Sequence, residues 1–344
     1  MSTKTRKPLI ERLNVFTAFF FGALFAIVSW RLALTYLPAD SESAPMFTRE
    51  DKITLISMLS WFVGFMFGIG ALIGPFRWVA GKDLSHEENM YYAGKDMGLK
   101  RYFRYTTDHK VVGIQYLVIT MAIFGIAGIM AMMIRTNLAS PEGGLLNPQA
   151  YNSLVGTHGI LMIVGAIIMV TGPFGNYIMP IMIGARDMAF PRLNALSFWL
   201  IVAAAVPLIW GQFIGGISTG WSAYNPLAGQ SPLGMNGYIM YICIFALSTM
   251  VAGANITTTV IKMRAKGMTW NRTPIFIHGV VASVALALPA FPTFFLSQVM
   301  SGMDRALGTS FYNPQAGGSG WLYEHLFWLM GHPEVYVILI PAVA

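Results

Sequence analysis

Eight long apolar runs limit what this chain can fold into. They fall at about 14–37, 54–79, 112–134, 153–182, 195–217, 237–261, 275–300 and 323–344. Each approaches or exceeds the roughly 20 residues an α-helix needs to cross the hydrocarbon of a bilayer. The runs are continuous rather than alternating, which favours helices over a membrane β-barrel. The chain has 344 residues and only 11% are charged, far below the roughly 25% of soluble domains. The expected fold is an all-α polytopic membrane protein with about eight transmembrane helices. The first run has a basic flank, but it is long and no A-x-A-like site follows it cleanly, so it is read as a span rather than a signal peptide. The single cysteine, Cys243, lies within a run and says nothing about redox compartment.

The formal net charge is +7, and the placement of the basic residues explains it. Lys4, Arg6, Lys7 and Arg12 precede the first run. Arg77, Lys82, Lys95, Lys100, Arg101, Arg104 and Lys110 follow the second. Arg186 and Arg192 follow the fourth, and Lys262, Arg264, Lys266 and Arg272 the sixth. The alternate loops hold only Arg49, Lys52, Arg135 and Arg305. By the positive-inside rule the N-terminus and loops 80–111, 183–194 and 262–274 face the cytoplasm. The basic excess is topological and argues against a nucleic-acid partner.

Ionisable groups inside apolar runs are expensive and mark functional sites. The last run carries His332, Glu334 and Tyr336 beside Pro333. His332 and Tyr336 are four residues apart and share a helix face. Glu334 falls roughly 16 Å deep, near the midplane. His158 lies in "VGTHGILMIVGA", between Gly156 and Gly159, where the missing side chains let a flat group approach the backbone. By spacing alone His158 is as compatible with a helix-bridging histidine as with an axial haem ligand. His278, near a cytoplasmic helix end, is read as a packing residue. A polar trail follows the depth of the helices: Asp187 in a short loop, Asn176 and Asn194 at helix ends, Asn255 deeper, Ser248 and Thr249 near mid-depth. Such residues can hold waters that relay protons toward Glu334, although each alone is an ordinary helix-bridging residue.

These segments resemble a known family. "GHPEVYVILIP" resembles the sixth helix of subunit I of the haem–copper oxidases, and "THGILMI" their second. "GNYIMPIMIGARDMAFPRLNALSFW" is similar to the loop that opens their proton channel, and "TTDHK" to the start of their first helix. "STGW", "DRALGTSFYNP" and "LYEHLFW" also fit, so the resemblance covers about 105–344. The joint occurrence of glutamate and tyrosine in "HPEVY" is similar to the A-type cytochrome c oxidase branch.

The resemblance implies roles. His158 matches an axial ligand of the low-spin haem. His332 matches a ligand of the copper beside the high-spin haem, and Tyr336 the tyrosine joined covalently to that histidine. Asp187, Asn176, Asn194, Ser248, Thr249 and Asn255 match a proton channel ending at Glu334. Arg135 matches an arginine at the low-spin haem edge, and Trp221, more weakly, a tryptophan near the high-spin haem propionates. The implied protein reduces O₂ to water and pumps protons. Its implied partners are subunits II, which bears copper, and III, with cytochrome c as electron donor, and its implied place is a bacterial plasma membrane.

Departures from the pattern set further expectations. Residues 1–104 add two helices with no assigned role, ahead of the first six helices of a twelve-helix core. The segment from His158 to Asn176 is one residue short of the common pattern, so a kink or bulge is expected there. "ARDM" replaces the commoner "APDM". The family's paired copper histidines, its tenth-helix haem ligands and its second channel's lysine have no counterpart, so further helices are expected from elsewhere, in a continuation or another chain. Quinol-oxidising relatives carry an Arg and an Asp where this chain has Ile126 and Met130, which favours cytochrome c. Nitric oxide reductases lack this tyrosine and channel. A metal-free proton conductor is the non-enzymatic alternative.

Overall fold

The structure is a computed structural model that describes residues 9–38, 49–94 and 97–344. Lys4, Arg6, Lys7 and Lys95 lie outside the described residues. The helices run α1 (Val15–Tyr36), α2 (Arg49–Ile69), α3 (Ile73–Val79), α4 (His86–Tyr92), α5 (His109–Asn137), α6 (Pro148–Met169), α7 (Gly175–Met182), α8 (Pro191–Gly211), α9 (Gly234–Lys262), α10 (Ile275–Leu307) and α11 (Gly320–Val343). Among the described residues eight helical spans are long and apolar enough to cross a membrane, with α6 and α7 forming one of them. The chain is a multi-pass membrane protein.

Local sequence explains where the helices start and break. Asp108 caps α5 by accepting from the Lys110 and Val111 amides, and Asn147 caps α6 ahead of Pro148. The second apolar run, expected as one helix to 79, instead ends at Ile69. Gly70 takes a φ of 89°, a left-handed conformation that terminates helices, and α3 then starts separately. Between α6 and α7 the backbone makes a π turn at Val170–Phe174. Pro173 sits inside it and has no N–H to donate, which gives the expected bulge a local cause.

Helices α5 to α11 pack largely in chain order: α5 on α6, α8 on α9, α9 on α10 and α10 on α11. The extra hairpin joins this bundle through α2, which contacts α8, α9 and α10. The Trp61 indole donates to the Ala203 carbonyl at 3.3 Å, and the Phe65 ring meets that of Trp199. The hairpin itself closes tightly. A Cβ at Gly64 would stand 2.4 Å from the Phe21 carbonyl oxygen, and one at Gly68 2.5 Å from that of Thr17. "GFMFG" is thus a small-xxx-small contact that lets two backbones touch in lipid.

The basic loops meet at one end of the bundle. Tyr91 donates to the Leu13 carbonyl at 3.0 Å, Tyr105 to that of Arg192 at 2.6 Å, and the Ala265 amide to Ile183 at 2.8 Å. At the opposite end Gln149 reaches the Gly215 carbonyl at 3.3 Å. The two ends therefore sort the loops as the charge pattern does.

Candidate functional site

Two faces of α11 do different things. The His332 and Tyr336 rings lie 4.6 Å apart, edge to face. Both are exposed on the outside of the described bundle. Glu334 lies on the opposite side of the helix and is buried. Tyr238 and Tyr241 of α9 fall within its electrostatic reach. Pro333, inside the helix, removes one backbone donor beside the three side chains.

His158, on α6, is oriented by a neighbouring helix. Its Nδ1 stands 2.9 Å from the Ala127 carbonyl of α5. A carbonyl only accepts, so Nδ1 carries the proton and Nε2 keeps its lone pair. A backbone carbonyl that fixes a histidine tautomer in this way is the usual support of a metal-ligating imidazole.

Gly156 and Gly159 serve another purpose than the expected approach of a flat group. A Cβ at Gly156 would lie 3.0 Å from the Ile217 Cδ1, and one at Gly159 3.0 Å from the Trp221 Cβ. They admit the loop between α8 and α9 instead. Trp221 in that loop then packs on α11, 5.4 Å from the Phe327 ring and 6.2 Å from that of Trp328. Its carbonyl accepts from the Tyr238 hydroxyl at 2.7 Å. One loop thus bridges the two helices that carry His158 and His332. Arg135 is exposed in the last turn of α5, at the same end of the bundle.

Some of the residues expected along the proton trail line one cavity. A cavity of about 40 Å³ is lined by Asn176, Ser248 and Thr249, enough for two or three waters at roughly 10–15 Å³ each. The Asn176 Oδ1 is buried without a protein partner, as expected of a group that holds water. Val337 lines the far side of the cavity, one helical turn beyond Glu334. Ser248 also donates to the Ser197 carbonyl at 2.6 Å, and Thr249 to that of Phe245 at 3.0 Å.

The remaining trail residues lie outside the cavity. Asn255 pins a loop: its Oδ1 accepts from the Phe190 amide at 2.8 Å and its Nδ2 donates to the Phe190 carbonyl at 3.3 Å. Asn194 is buried in the first turn of α8, and its Nδ2 has no protein partner. Asp187 is half-buried, and burial pushes its carboxyl above the ordinary range despite a 2.7 Å bond from the Met188 amide. His109, buried beneath the same loop, places its Nδ1 2.7 Å from the Asn176 carbonyl. His278 shares a 2.9 Å hydrogen bond with the Thr273 hydroxyl and packs on Trp270, which fits its reading as a packing residue.

Three polar residues of the cavity escaped the sequence reading: Tyr116, Thr171 and Ser283. Tyr116 shares a 2.9 Å hydrogen bond with Ser197, and Ser283 donates to the Val337 carbonyl at 3.0 Å. Their signal was a polar group inside an apolar run. Among the described residues no three His, Cys, Asp or Glu side chains group into a metal site. The chain offers single imidazoles at separate places.

Comparison with known proteins identifies the family. The family model described as "Cytochrome C and Quinol oxidase polypeptide I" matches residues 111–344. Cytochrome c oxidase subunit 1 of Thermostichus vulcanus is 40% identical over 242 residues, which cover 70% of this chain and 44% of that one. The Bacillus subtilis protein of the same name is 42% identical over 239 residues, 69% of this chain and 38% of its own. A heme-copper oxidase subunit I+III from Aeropyrum pernix is 40% identical over 242 residues, 69% of this chain and 30% of that one. The chain spans less than half the length of these relatives.

Proposed function

The chain belongs to the family of cytochrome c and quinol oxidase polypeptide I, and from that premise we propose that it forms part of the catalytic subunit of a proton-pumping terminal respiratory oxidase. The reaction is the reduction of O₂ to water with electrons from cytochrome c, in a bacterial plasma membrane with the N-terminus cytoplasmic. The observation that carries this reading is the arrangement of α11, with a histidine–tyrosine pair on one face and a buried carboxyl on the other.

The residues present fit haem and copper. His158 holds its Nε2 ready for the iron of a low-spin haem through the Ala127 carbonyl. His332 offers an imidazole to copper, and Tyr336, one turn away, is placed for the covalent link that the family resemblance implies. Arg135, exposed at the end of α5, and Trp221, packed on α11, suit contacts with haem substituents. These metal centres, when bound, carry the electron transfer and oxygen chemistry. Further ligands come from polypeptide outside residues 9–344, and subunits II and III complete the assembly.

The chain's own residues handle protons. Asp187 takes them up at the basic end. Asn176, Ser248, Thr249, Tyr116 and Ser283 hold waters in the cavity, and Glu334 passes protons on near the midplane. Asn255 keeps the uptake loop in place through the Phe190 backbone, and the free Nδ2 of Asn194 is available to water. Moving a charge against 100 mV costs about 2.3 kcal/mol, so the relay must be interrupted rather than continuous. The separation of the cavity from Glu334 by one turn of α11 meets that need.

Cytochrome c is favoured over quinol as donor by the apolar pair Ile126 and Met130, since a quinol head group would need polar partners. The test uses the purified complex that contains this chain. Its absorption spectrum should show two haems, and O₂ uptake should follow reduced cytochrome c but not a quinol. Uptake driven by quinol alone would move the reading to the quinol branch. A complex without haem would leave the metal-free proton conductor.

A further inference from the structure

The extra N-terminal hairpin makes a buried ionic contact with the core. Asp51, in the first turn of α2, pairs with Arg305, in the last turn of α10, at 2.5 Å between Oδ1 and Nη2. Asp51 is 6% exposed and Arg305 3%. Asn236 of α9 closes a triangle: its Nδ2 donates to the Asp51 Oδ1 at 2.8 Å, and its Oδ1 accepts from the Arg305 Nε at 2.8 Å. The remaining Arg305 hydrogens reach one segment of backbone. Nη1 donates to the carbonyls of Ala228, Gly229 and Ser231 at 2.9, 3.1 and 3.0 Å, and Nη2 to that of Pro232 at 3.3 Å.

That backbone belongs to the loop between α8 and α9, whose earlier part carries Trp221 between Gly159 and α11. We propose that Asp51 is a positioning residue: it is the counter-ion that fixes Arg305 across the end of this loop, so that the hairpin of α1 and α2 holds the loop that spans the helices of His158 and His332. The hairpin is then a built-in partner of the core rather than a membrane tether. An isolated buried guanidinium is costly, and removing one partner of a buried pair leaves the other uncompensated. Asp304, the neighbouring acid, is committed elsewhere. Its carboxylate accepts from the Thr309 hydroxyl at 2.6 Å and from the Phe311 and Tyr312 amides at 2.9 Å each. The hold on the loop follows from these contacts and does not depend on function. Only its consequence for the cofactor face rests on the proposed function.

Asp51→Asn keeps the size of the side chain and removes its charge. Hydrogen exchange measured by mass spectrometry on the purified complex should then rise by about tenfold or more at the amides of 217–233, as expected for a buried charge left without its partner. The amides of α5, α6 and 183–194 should stay at the parent's rates. Asp51→Glu, which restores the charge, should recover part of the protection. Asn236→Ser, which opens the triangle but leaves both charges, should loosen the same loop to a smaller degree and serves if Asp51→Asn fails to accumulate. Parent-like exchange in the loop of Asp51→Asn would overturn the proposal, since Asp304 would then be supplying the counter-charge. So would an equal rise throughout the bundle, because Asp51 would then act on general stability and not on the loop.

Discussion

Glu334 and Tyr336 are two residues apart on α11 and face opposite ways: Glu334 is 3% exposed and Tyr336 41%. Two residues of helix turn a side chain through about 200°. The carboxyl therefore points into the bundle and the phenol away from it, beside His332. In the proposed oxidase this separates proton delivery from the oxygen-reducing face by the thickness of one helix. Each face can be changed without rebuilding the other.

On the outer face, His332→Asn removes the imidazole that would meet copper. Copper content should fall while the haem on His158 stays, because that histidine takes its support from α5. O₂ uptake should be lost, since a coordination position on the metal is gone. Metal analysis and uptake on the same sample decide it, and full copper with normal uptake in this variant ends the assignment.

The hairpin of α1 and α2 gives a stability prediction that does not depend on function. Gly68→Leu places a side chain where the Thr17 carbonyl already lies 2.5 Å from a would-be Cβ. Overpacking of this kind costs about 1–3 kcal/mol. The hairpin should separate locally, with a lower melting temperature and new proteolysis in the segment between α2 and α5. A Gly74→Ala control should melt like the parent, since no atom lies within 4 Å of a Cβ there.

Much of this was legible in the sequence because the bilayer enforces long apolar runs and makes buried ionisable groups conspicuous. His332, Glu334 and Tyr336 could be placed on two faces of one helix by counting. What counting could not give was the use of space between helices. Gly156 and Gly159 were legible as small, but only the fold shows that the Trp221 loop fills them. "GFMFG" stood in the open and signals a helix contact by spacing alone, yet it was not read as one. The hold of Asn255 on the Phe190 backbone also needed the fold. Asp51 and Arg305 are 254 residues apart. A long-range pair has no local periodicity to give it away.

The uptake loop gives a pH-dependent prediction. Burial raises the Asp187 carboxyl above its ordinary range. A group shifted that way favours the folded state most when protonated, and that contribution is lost as pH rises through its folded value. The parent therefore carries a small penalty at neutral pH that Asp187→Asn avoids, since an amide oxygen can still accept from Met188. Asp187→Asn should melt slightly higher than the parent near neutral pH. The difference should close as pH falls below about 3.9, where an unshifted aspartate is also protonated. A gap that widens toward acid would mean that the carboxylate is stabilised in the fold, contrary to its burial.

The proton relay itself can be divided by substitutions at three positions measured together. Glu334→Gln should nearly stop turnover without removing metals, because the amide cannot release and regain a proton while keeping much the same shape. Asp187→Asn should slow turnover and impair pumping, since uptake at the basic end is affected and the chemistry is not. Ser248→Val tests the cavity between them. It removes a hydroxyl from the lining and adds apolar bulk to a space of about 40 Å³, which displaces water from it. Its hydrogen bond to the Ser197 carbonyl is also lost, so Ser248→Ala separates the missing hydroxyl from the filled space. The valine variant should be slowed several-fold more than the alanine one. All are reconstituted in vesicles with cytochrome c outside, and O₂ uptake and external acidification are recorded at once. Parent-like pumping and turnover in Ser248→Val would show that protons reach Glu334 by a route that avoids this cavity.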